Sequence, residues 1–206
     1  NKPSNACLAS RFDYNTELTF EKLQMIEKGE KYKVAVNDLS FVMYKGEIYF
    51  AKDSFELALK GNGADFVGFE AIADDYSSTK AGNLAAAYAG ICYYNLGKDA
   101  EALAYLKKFD GDDAFLSPNI EAMIGNCYAN MDQYDDAIKA FEKAAKKADN
   151  EMASPIFLQK AATVAEKMGN YKKALDFYQK IKDEYSQSMI GRDIDKYIER
   201  AKAHVK

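Results

Sequence analysis

The sequence has few of the residues on which catalytic and metal sites usually depend. Its 206 residues include no tryptophan, three cysteines and one histidine. His204 lies alone in a charged C-terminal stretch, and without a Cys-x-x-Cys pair these side chains cannot assemble a zinc site. No Gly-x-Ser-x-Gly motif is present. These absences predict a protein that is not an enzyme and that binds no metal and no cofactor.

Positive charge is scarce relative to negative charge. The chain has 28 Lys and Arg against 32 Asp and Glu, a formal net charge of −4. Because proteins bind nucleic acids by neutralising phosphates with clustered basic residues, this composition predicts no nucleic-acid partner. No apolar run reaches the roughly 18 residues that a membrane span requires. The chain begins without Met, which leaves open an upstream targeting or anchoring segment and therefore the compartment.

A helical hairpin is the clearest pattern that is present. Between Pro118 and Lys146, apolar and small residues recur at spacings of three and four on both sides of a short polar break. This spacing predicts two amphipathic helices joined by a tight turn. Gly125 and Ala137 are expected where the two helices pack closely, and Tyr128 and Phe141 fill the space between them.

The same pattern recurs before and after this hairpin. Gly90 lies 35 positions before Gly125, and Ala174 lies 37 positions after Ala137. Cys92 and Cys127 each follow the small glycine by two positions, where a small apolar residue is expected, so the sequence predicts buried, reduced thiols. Cys7 falls outside the repeats. Because one hairpin cannot bury its apolar faces alone, the repetition predicts stacked hairpins.

Helix boundaries are predicted from serine, threonine, proline and glycine. Ser117 and Ser154 each precede a proline and are expected to be N-caps, as are Ser77, Ser78 and Thr79. Gly61-Asn62-Gly63 is expected to interrupt a helix, with a further short helix over 66–76. A short helix is predicted within 18–31, and a last helix over about 188–204 with Ile190, Ile194, Tyr197, Ile198 and Ala201 on its apolar side.

This arrangement of small, aromatic, alanine and large apolar residues resembles the tetratricopeptide repeat. The resemblance covers about 81–187, and the chain departs from it by lacking the early tryptophan and by having Asp132 where glycine is usual. It implies an all-α, right-handed superhelical solenoid of antiparallel helix hairpins. The expected organisation is an irregular segment with a short helix (1–38), repeats over 39–187 (39–79, divergent with an insert, then 80–117, 118–154 and 155–187), and a capping helix (188–206).

In proteins of this family, the first helices of successive hairpins line a concave groove that holds partner peptides. The resemblance places mostly apolar and amide side chains there, and amides can both donate to and accept from an extended backbone. Lys167 is the one groove cation expected, which disfavours a clamp for a C-terminal carboxylate. The alternative that Leu84 and Ile91 are core residues, and that the asparagines are only solvated, stays open. The positions are Leu84, Ala87, Ile91, Tyr94 and Asn95; Asn119, Ala122, Asn126, Ala129 and Asn130; and Ile156, Gln159, Thr163, Glu166 and Lys167.

The resemblance implies a non-enzymatic scaffold that binds a peptide or a partner subunit in this groove. A holdase for unfolded or exported chains is the alternative, and a homodimer through a solenoid face is left open. The segment 75–82, echoed at 185–188, is similar to repeat proteins of the bacterial cell envelope, such as the ancillary translocon subunit. That similarity would imply a periplasmic domain tethered by an anchor outside this chain.

Overall fold

The computed structural model describes residues 39–64 and 66–205, which form helices, turns and loops with no β-strand among them. The predicted helix within 18–31 and Cys7 lie outside the described residues. The chain divides into two compact units, Asn1–Gly97 and Lys98–Lys206. They are called the first and second units below.

The described part of the first unit contains two medium-length helices and two short ones. Gly61 has a φ of +82°, and a Cβ there would lie 2.1 Å from the Phe66 carbonyl oxygen, so the chain leaves the second helix at this point. The predicted interruption is therefore found, and the short helix that follows begins three residues later than expected. The helices are α1 (Leu39–Ala51), α2 (Phe55–Lys60), α3 (Phe69–Asp75) and α4 (Lys80–Asn95).

Aromatic rings form much of the core of the first unit. Phe69 stacks on Tyr88 with ring centroids 4.6 Å apart, and Phe66 meets the Phe69 ring edge-on at 5.6 Å. Phe50 meets the Tyr88 ring at 5.1 Å. A Cβ on Gly46 would lie 2.4 Å from Cζ of Phe66, so α1 approaches this cluster only because residue 46 has no side chain.

The second unit contains helices that pack in sequence order. α5 packs on α6, α6 on α7, α7 on α8, α8 on α9, and α9 on α11. This neighbour-to-neighbour packing buries one continuous apolar core, as a repeat architecture requires. The helices are α5 (Asp99–Leu106), α6 (Leu116–Asn130), α7 (Tyr134–Ala148), α8 (Ser154–Lys167), α9 (Tyr171–Glu184), α10 (Met189–Arg192) and α11 (Asp195–His204).

The predicted contact positions are confirmed in the second unit. A Cβ on Gly125 would lie 2.7 Å from Cε1 of Phe141, so the glycine lets α6 and α7 approach this closely without displacing the ring. Ala137 and Ala174 are fully buried. The turn from α6 to α7 has Asp132 in the left-handed region, with a φ of 59°, a conformation that aspartate tolerates better than most residues. Asp132 thus takes the place of the expected glycine.

The two described cysteines behave as predicted. Cys92, in α4 of the first unit, and Cys127, in α6 of the second, are buried and unbonded. Burial raises the pKa of each thiol to about 12. Both thiols are therefore neutral and act as small apolar residues rather than as nucleophiles.

The predicted caps at Ser117 and Ser154 are wrong, because both serines lie inside the first helical turn and are buried. Asp113 accepts from the backbone N–H of Phe115 at 2.9 Å and from that of Ser117 at 3.2 Å, so an acidic residue caps α6. The Ser154 hydroxyl donates to the carbonyl of Ala145 at 2.9 Å. That bond ties α8 to the end of α7, a role that only the packed helices reveal.

Thr79 and Ser188 are the caps of α4 and α10. Thr79 Oγ1 accepts from the Gly82 N–H at 3.0 Å, and Ser188 Oγ accepts from the Gly191 N–H at 2.9 Å. Each hydroxyl also donates to the carbonyl of the tyrosine three residues earlier. Ser77 and Ser78 are exposed and precede the capping residue, so the prediction that they cap is wrong.

The tyrosine, the capping hydroxyl and the glycine that follows form a closely packed motif, which explains why the same sequence pattern occurs twice. A Cβ on Gly82 would lie 1.9 Å from the Tyr76 carbonyl oxygen, and one on Gly191 would lie 2.0 Å from that of Tyr185. The glycine, the capping hydroxyl and the tyrosine carbonyl are therefore required together. Helix capping accounts for the echo between segments 75–82 and 185–188.

The predicted single helix over 188–204 is wrong. It is divided into α10 and α11 because the Asp193 and Ile194 N–H groups bond to carbonyls three residues back, at 3.2 and 3.3 Å. This tighter turn directs Ile194 into the core beside Ile198 and Ala201, which are also buried. The predicted apolar side is otherwise found.

Candidate functional site

The predicted groove positions of the second unit lie on α6 and α8, and one bond joins the two helices there. Lys160 Nζ, from α8, donates to Asn126 Oδ1 of α6 at 3.1 Å. Asn126 and Gln159 are half-buried on these helices, whereas Asn119, Asn130 and Thr163 are exposed. The structure therefore brings Asn126 and the Gln159–Lys160 pair to one surface, called the α6–α8 face below.

Several predicted groove side chains are already engaged within the second unit. Asn119 Nδ2 donates to the Phe115 carbonyl at 2.6 Å, and Asn130 Nδ2 donates to Asp99 Oδ1 at 3.0 Å. Thr163 Oγ1 donates to the Gln159 carbonyl at 2.9 Å. These groups stabilise their own helices or join α6 to α5, so a partner would have to compete for them.

Two further predicted groove residues, Ala122 and Glu166, make contacts within the second unit. Ala122 is buried, so it packs inside the hairpin and does not line a surface. Glu166 accepts from Arg200 of α11 at 2.6 Å, which joins α8 to the last helix. The adjacent Tyr178 is fully buried in α9, and burial, with the nearby Glu166 carboxylate, raises the pKa of its hydroxyl to about 12.

Two amide groups on the α6–α8 face have unused hydrogen-bonding capacity. Within residues 39–64 and 66–205, the side-chain amide of Gln159 has no partner and neither does the Asn126 NH2 group. Since both side chains are half-buried, their amides face a surface where water is partly excluded. Such amides can pair with the backbone of an extended chain.

Lys160 is the residue on this face that the sequence reasoning missed. Its side chain is half-buried, and burial lowers the pKa of its ammonium below the ordinary value. No carboxylate in the described part of the chain pairs with it; its neighbours are the Asn126 oxygen and the Phe141 ring, whose centroid is 5.6 Å away. A lysine two positions before the small Ala162, within an apolar stretch, was the signal available in the sequence.

Lys167, the groove cation expected from the sequence, is differently placed. Its Nζ lies 3.8 Å from Asp132 and 4.7 Å from the centroid of the Tyr134 ring. A hydrogen bond with Tyr134 raises the pKa of Lys167. Its charge is therefore partly satisfied by the α6–α7 turn, which makes it a weaker receptor for an anion than Lys160.

The first unit carries the remaining groove positions on α4. Ala87 is buried, Leu84, Ile91 and Tyr94 are half-buried, and Asn95 is exposed. Asn95 Nδ2 donates to the Ile91 carbonyl at 2.8 Å, a bond within its own helix. The half-burial of the apolar residues is compatible with either role considered for them, core or groove.

A pocket of about 300 Å³ lies between α5, α6 and α7 of the second unit. Glu121 is buried beside it and pairs with Lys143 at 2.5 Å and with Lys147 at 3.3 Å. Glu121 stands four positions before Gly125. The tetratricopeptide repeat has its tryptophan at that position. A smaller, charged side chain thus occupies the place of a large ring, and two lysines neutralise it.

Among residues 39–64 and 66–205, no cluster of three or more His, Cys, Asp or Glu side chains could hold a metal ion. In the same residues, no helix combines the length and the apolar content that a membrane span would need.

Comparison with known proteins agrees with this geometry. One model described as the tetratricopeptide repeat matches residues 122–151, and a second model with the same description matches residues 88–110 and 158–188. The chain therefore contains tetratricopeptide repeats. The matched segments overlap the α6–α7 and α8–α9 hairpins, so the predicted family and all-α helical-repeat fold are confirmed. Such repeats typically form non-catalytic scaffolds for protein–protein interaction.

Solved structures show the same fold. A crystal structure of MamA protein is similar over 82% of this chain and 89% of its own, with a TM-score of 0.55 and 18% identity. A second MamA crystal structure is similar over 77% of this chain and 93% of its own, with a TM-score of 0.51 and 19% identity. No curated protein sequence matches this tetratricopeptide repeat protein significantly.

Proposed function

We propose that this tetratricopeptide repeat protein is a scaffold whose α6–α8 face binds an extended peptide and places a carboxylate of that peptide beside Lys160. The observation that supports this most is the half-buried Lys160 ammonium, which has no acidic partner in the described part of the chain. Removing a cation from water is unfavourable unless an opposite charge compensates it. A carboxylate from a partner supplies that charge.

The environments of other lysines support the proposal that Lys160 binds a carboxylate. Lys143 and Lys147 pair with Glu121, and Lys182 pairs with Asp195 at 2.7 Å. The charges of these lysines are satisfied inside the second unit. Lys160 instead faces a neutral amide oxygen and an aromatic ring, so it retains the capacity to bind an anion.

The amides define how the peptide lies. The Asn126 NH2 group can donate to a backbone carbonyl, and the Gln159 amide can donate and accept. Two such groups beside Lys160 favour a main chain that runs extended across α6 and α8. The similarity of segment 75–82 to envelope proteins is explained by helix capping and does not indicate a compartment. The proposal therefore assigns none.

The test is a pull-down from whole-cell extract with wild type, Lys160→Met, Asn126→Ala and the matched control Lys172→Met. Lys172 is an exposed lysine of α9, so its replacement removes one charge away from the face. We expect one stoichiometric partner that Lys172→Met retains and that Lys160→Met and Asn126→Ala lose. Replacing the Asp or Glu residues of the bound segment by amides should weaken binding to wild type and not to Lys160→Met.

Two other outcomes would contradict the proposal. Many unrelated clients bound equally by all four proteins would identify a holdase instead. A stable dimer in sedimentation that Lys160→Met converts to a monomer would show that a second copy covers the α6–α8 face.

A further inference from the structure

Three large apolar side chains are exposed one repeat apart in the second unit, each at or just before the start of a helix. Phe115, Met152 and Met189 are 84%, 82% and 89% exposed, and each is 37 residues from the next. Among residues 43–64 and 66–205, no other large apolar residue is more than 43% exposed, a value reached at Leu57. Single exposed apolar residues are ordinary, but a row that recurs with the repeat indicates an interaction surface.

Hydrogen bonds hold the backbone at these positions. Asp113 Oδ1 accepts from the Phe115 N–H at 2.9 Å, and Asn150 Oδ1 accepts from the Met152 N–H at 3.0 Å. Asp113 and Asn150 are themselves 37 residues apart. Met189 begins α10 directly after its capping serine. Because the backbone is already ordered, a partner that covers these side chains loses less conformational entropy on binding.

Met152 and Met189 also share a groove of about 410 Å³ at the start of α8. Its lining is almost entirely apolar, and methionine side chains adapt their shape to an inserted group. The groove can therefore receive an apolar side chain of a partner. The residues lining it are Glu151, Met152, Pro155, Ile156, Ser188, Met189 and Ile190.

The same junctions carry negative charge. Asp112, Asp149 and Glu151 are exposed, and none of them forms an ion pair with another described residue. Cations also lie nearby: Lys146 and Lys180 line a pocket with Asp149, Lys147 Nζ donates to the Gly111 carbonyl at 3.3 Å, and Arg192 is three residues after Met189. The three carboxylates nevertheless form no ion pair with these cations, which favours a cationic partner.

We propose that this surface docks a cationic amphipathic helix of a partner protein. The surface, called the apolar edge, comprises Phe115, Met152 and Met189 with the groove between the two methionines. The apolar side of such a helix covers the row, and its Lys or Arg residues lie opposite Asp112, Asp149 and Glu151. Ile156 lines the groove and stands four residues before Lys160 on α8, so the apolar edge adjoins the α6–α8 face. This proposal rests on the exposed apolar row and not on the peptide proposed for that face.

The test uses the full chain and a labelled synthetic helix with leucines on one side and lysines on the other. Its binding is followed by fluorescence anisotropy. Replacing Phe115, Met152 and Met189 together by serine should weaken binding by at least about tenfold, because the apolar area that the helix covers is lost. The matched control replaces Leu57, Met168 and Val205, which are about half as exposed, and should change binding by less than about twofold.

A second pair of variants tests the charges. Asp112→Asn/Asp149→Asn/Glu151→Gln should weaken binding several-fold and reduce its dependence on salt. Glu101→Gln/Glu142→Gln/Asp176→Asn removes equal charge from other exposed positions and should do so much less. Circular dichroism should show that every variant stays folded.

Four results would overturn the proposal. The serine variant could bind the lysine helix as tightly as wild type does. A version of the helix with glutamate in place of lysine could bind wild type as well as the lysine helix does. Sedimentation could show a dimer that only the serine variant dissociates, which would make a second copy the occupant. Cosedimentation with phosphatidylcholine vesicles that the serine variant loses would make the occupant a lipid surface.

Discussion

In the second unit, α6 to α9 are 14 or 15 residues long and meet at small side chains, whereas in the first unit the seven-residue helix α3 meets α4 through stacked aromatic rings. Gly125 and Ala137 allow close approach in the first case. In the second, Phe69 stacks on Tyr88 and is surrounded by further rings. The two units reach a buried core by different means.

The difference shows what helix length does to a repeat. A long helix makes many small contacts along its neighbour, so small residues at regular spacing suffice. Where Gly61 ends α2 early, fewer backbone turns are available, and large rings fill the volume instead. Asn62 rigidifies the break by accepting from the N–H groups of Ala64 and Phe66, both at 3.1 Å.

Removing the central ring of the first unit should have the largest effect. Phe69 is fully buried, so Phe69→Ala should lower the free energy of unfolding by about 3–5 kcal/mol. Phe55 is only half-buried, and Phe55→Ala serves as the control with a smaller expected loss. Urea denaturation measures both. Equal losses for the two variants would mean that the aromatic core is not organised around Phe69.

Adding a ring to the second unit tests its dependence on small residues. Ala137→Phe should overpack the α6–α7 hairpin and cost about 1–3 kcal/mol. Ala100 is exposed on α5, so Ala100→Phe should change stability by less than about 0.5 kcal/mol. An unchanged thermal midpoint for Ala137→Phe would contradict the assigned register of the hairpin.

A matched glycine pair sharpens the comparison between the units. A Cβ at Gly46 would meet Phe66 at 2.4 Å and Phe69 at 2.6 Å, whereas the three atoms nearest to one at Gly125 all belong to Phe141, the closest at 2.7 Å. Alanine also gains about 1 kcal/mol of helix propensity over glycine. We therefore expect Gly46→Ala to destabilise by about 1–2 kcal/mol and Gly125→Ala by less than about 1 kcal/mol. If denaturation showed Gly125→Ala to be more destabilising than Gly46→Ala, this difference between the two units would be wrong.

The two units are alike in their buried cysteines. Burial raises the pKa of Cys92 and of Cys127 from an ordinary 9.0 to about 12. A raised pKa in the folded state contributes stability that is complete below pH 9 and is lost as pH rises towards 12, because the unfolded chain releases its thiol protons first.

Urea midpoints measured from pH 7 to 11 check this dependence. Cys92→Ala and Cys127→Ala should each lower stability at pH 7 and should each reduce the decline above pH 9. If both variants declined as steeply as wild type, titration of these thiols would not be the cause.

The regular part of the fold was predictable because periodicity records which side of a helix is buried. The spacing of Gly125, Ala137 and Ala174 predicted the helix contacts, and the equivalent positions of the two described cysteines predicted their burial. Helix starts were less predictable. Serine is a good cap in general, yet Asp113 competes successfully for the first turn of α6, and Ser154 bonds across to α7.

The candidate surfaces were predicted only in part. The repeat pattern placed Asn126 and Gln159 on the α6–α8 face, but it did not indicate Lys160, which stands between the usual groove positions. Nor did it indicate the apolar edge, because large apolar residues at helix starts are normally read as core. The 37-residue spacing of Phe115, Met152 and Met189 was visible in the sequence, but their exposure was not.

The sequence by itself determined the all-α repeat, the register of its hairpins and its small contact positions, since these depend on regular spacing along one chain. Only the tertiary structure decided which polar group meets which. Lys160 faces Asn126 rather than a carboxylate, and Ser154 faces a carbonyl of the preceding helix. Such partners come from neighbouring helices, and their approach depends on packing distances that the spacing within one helix does not encode.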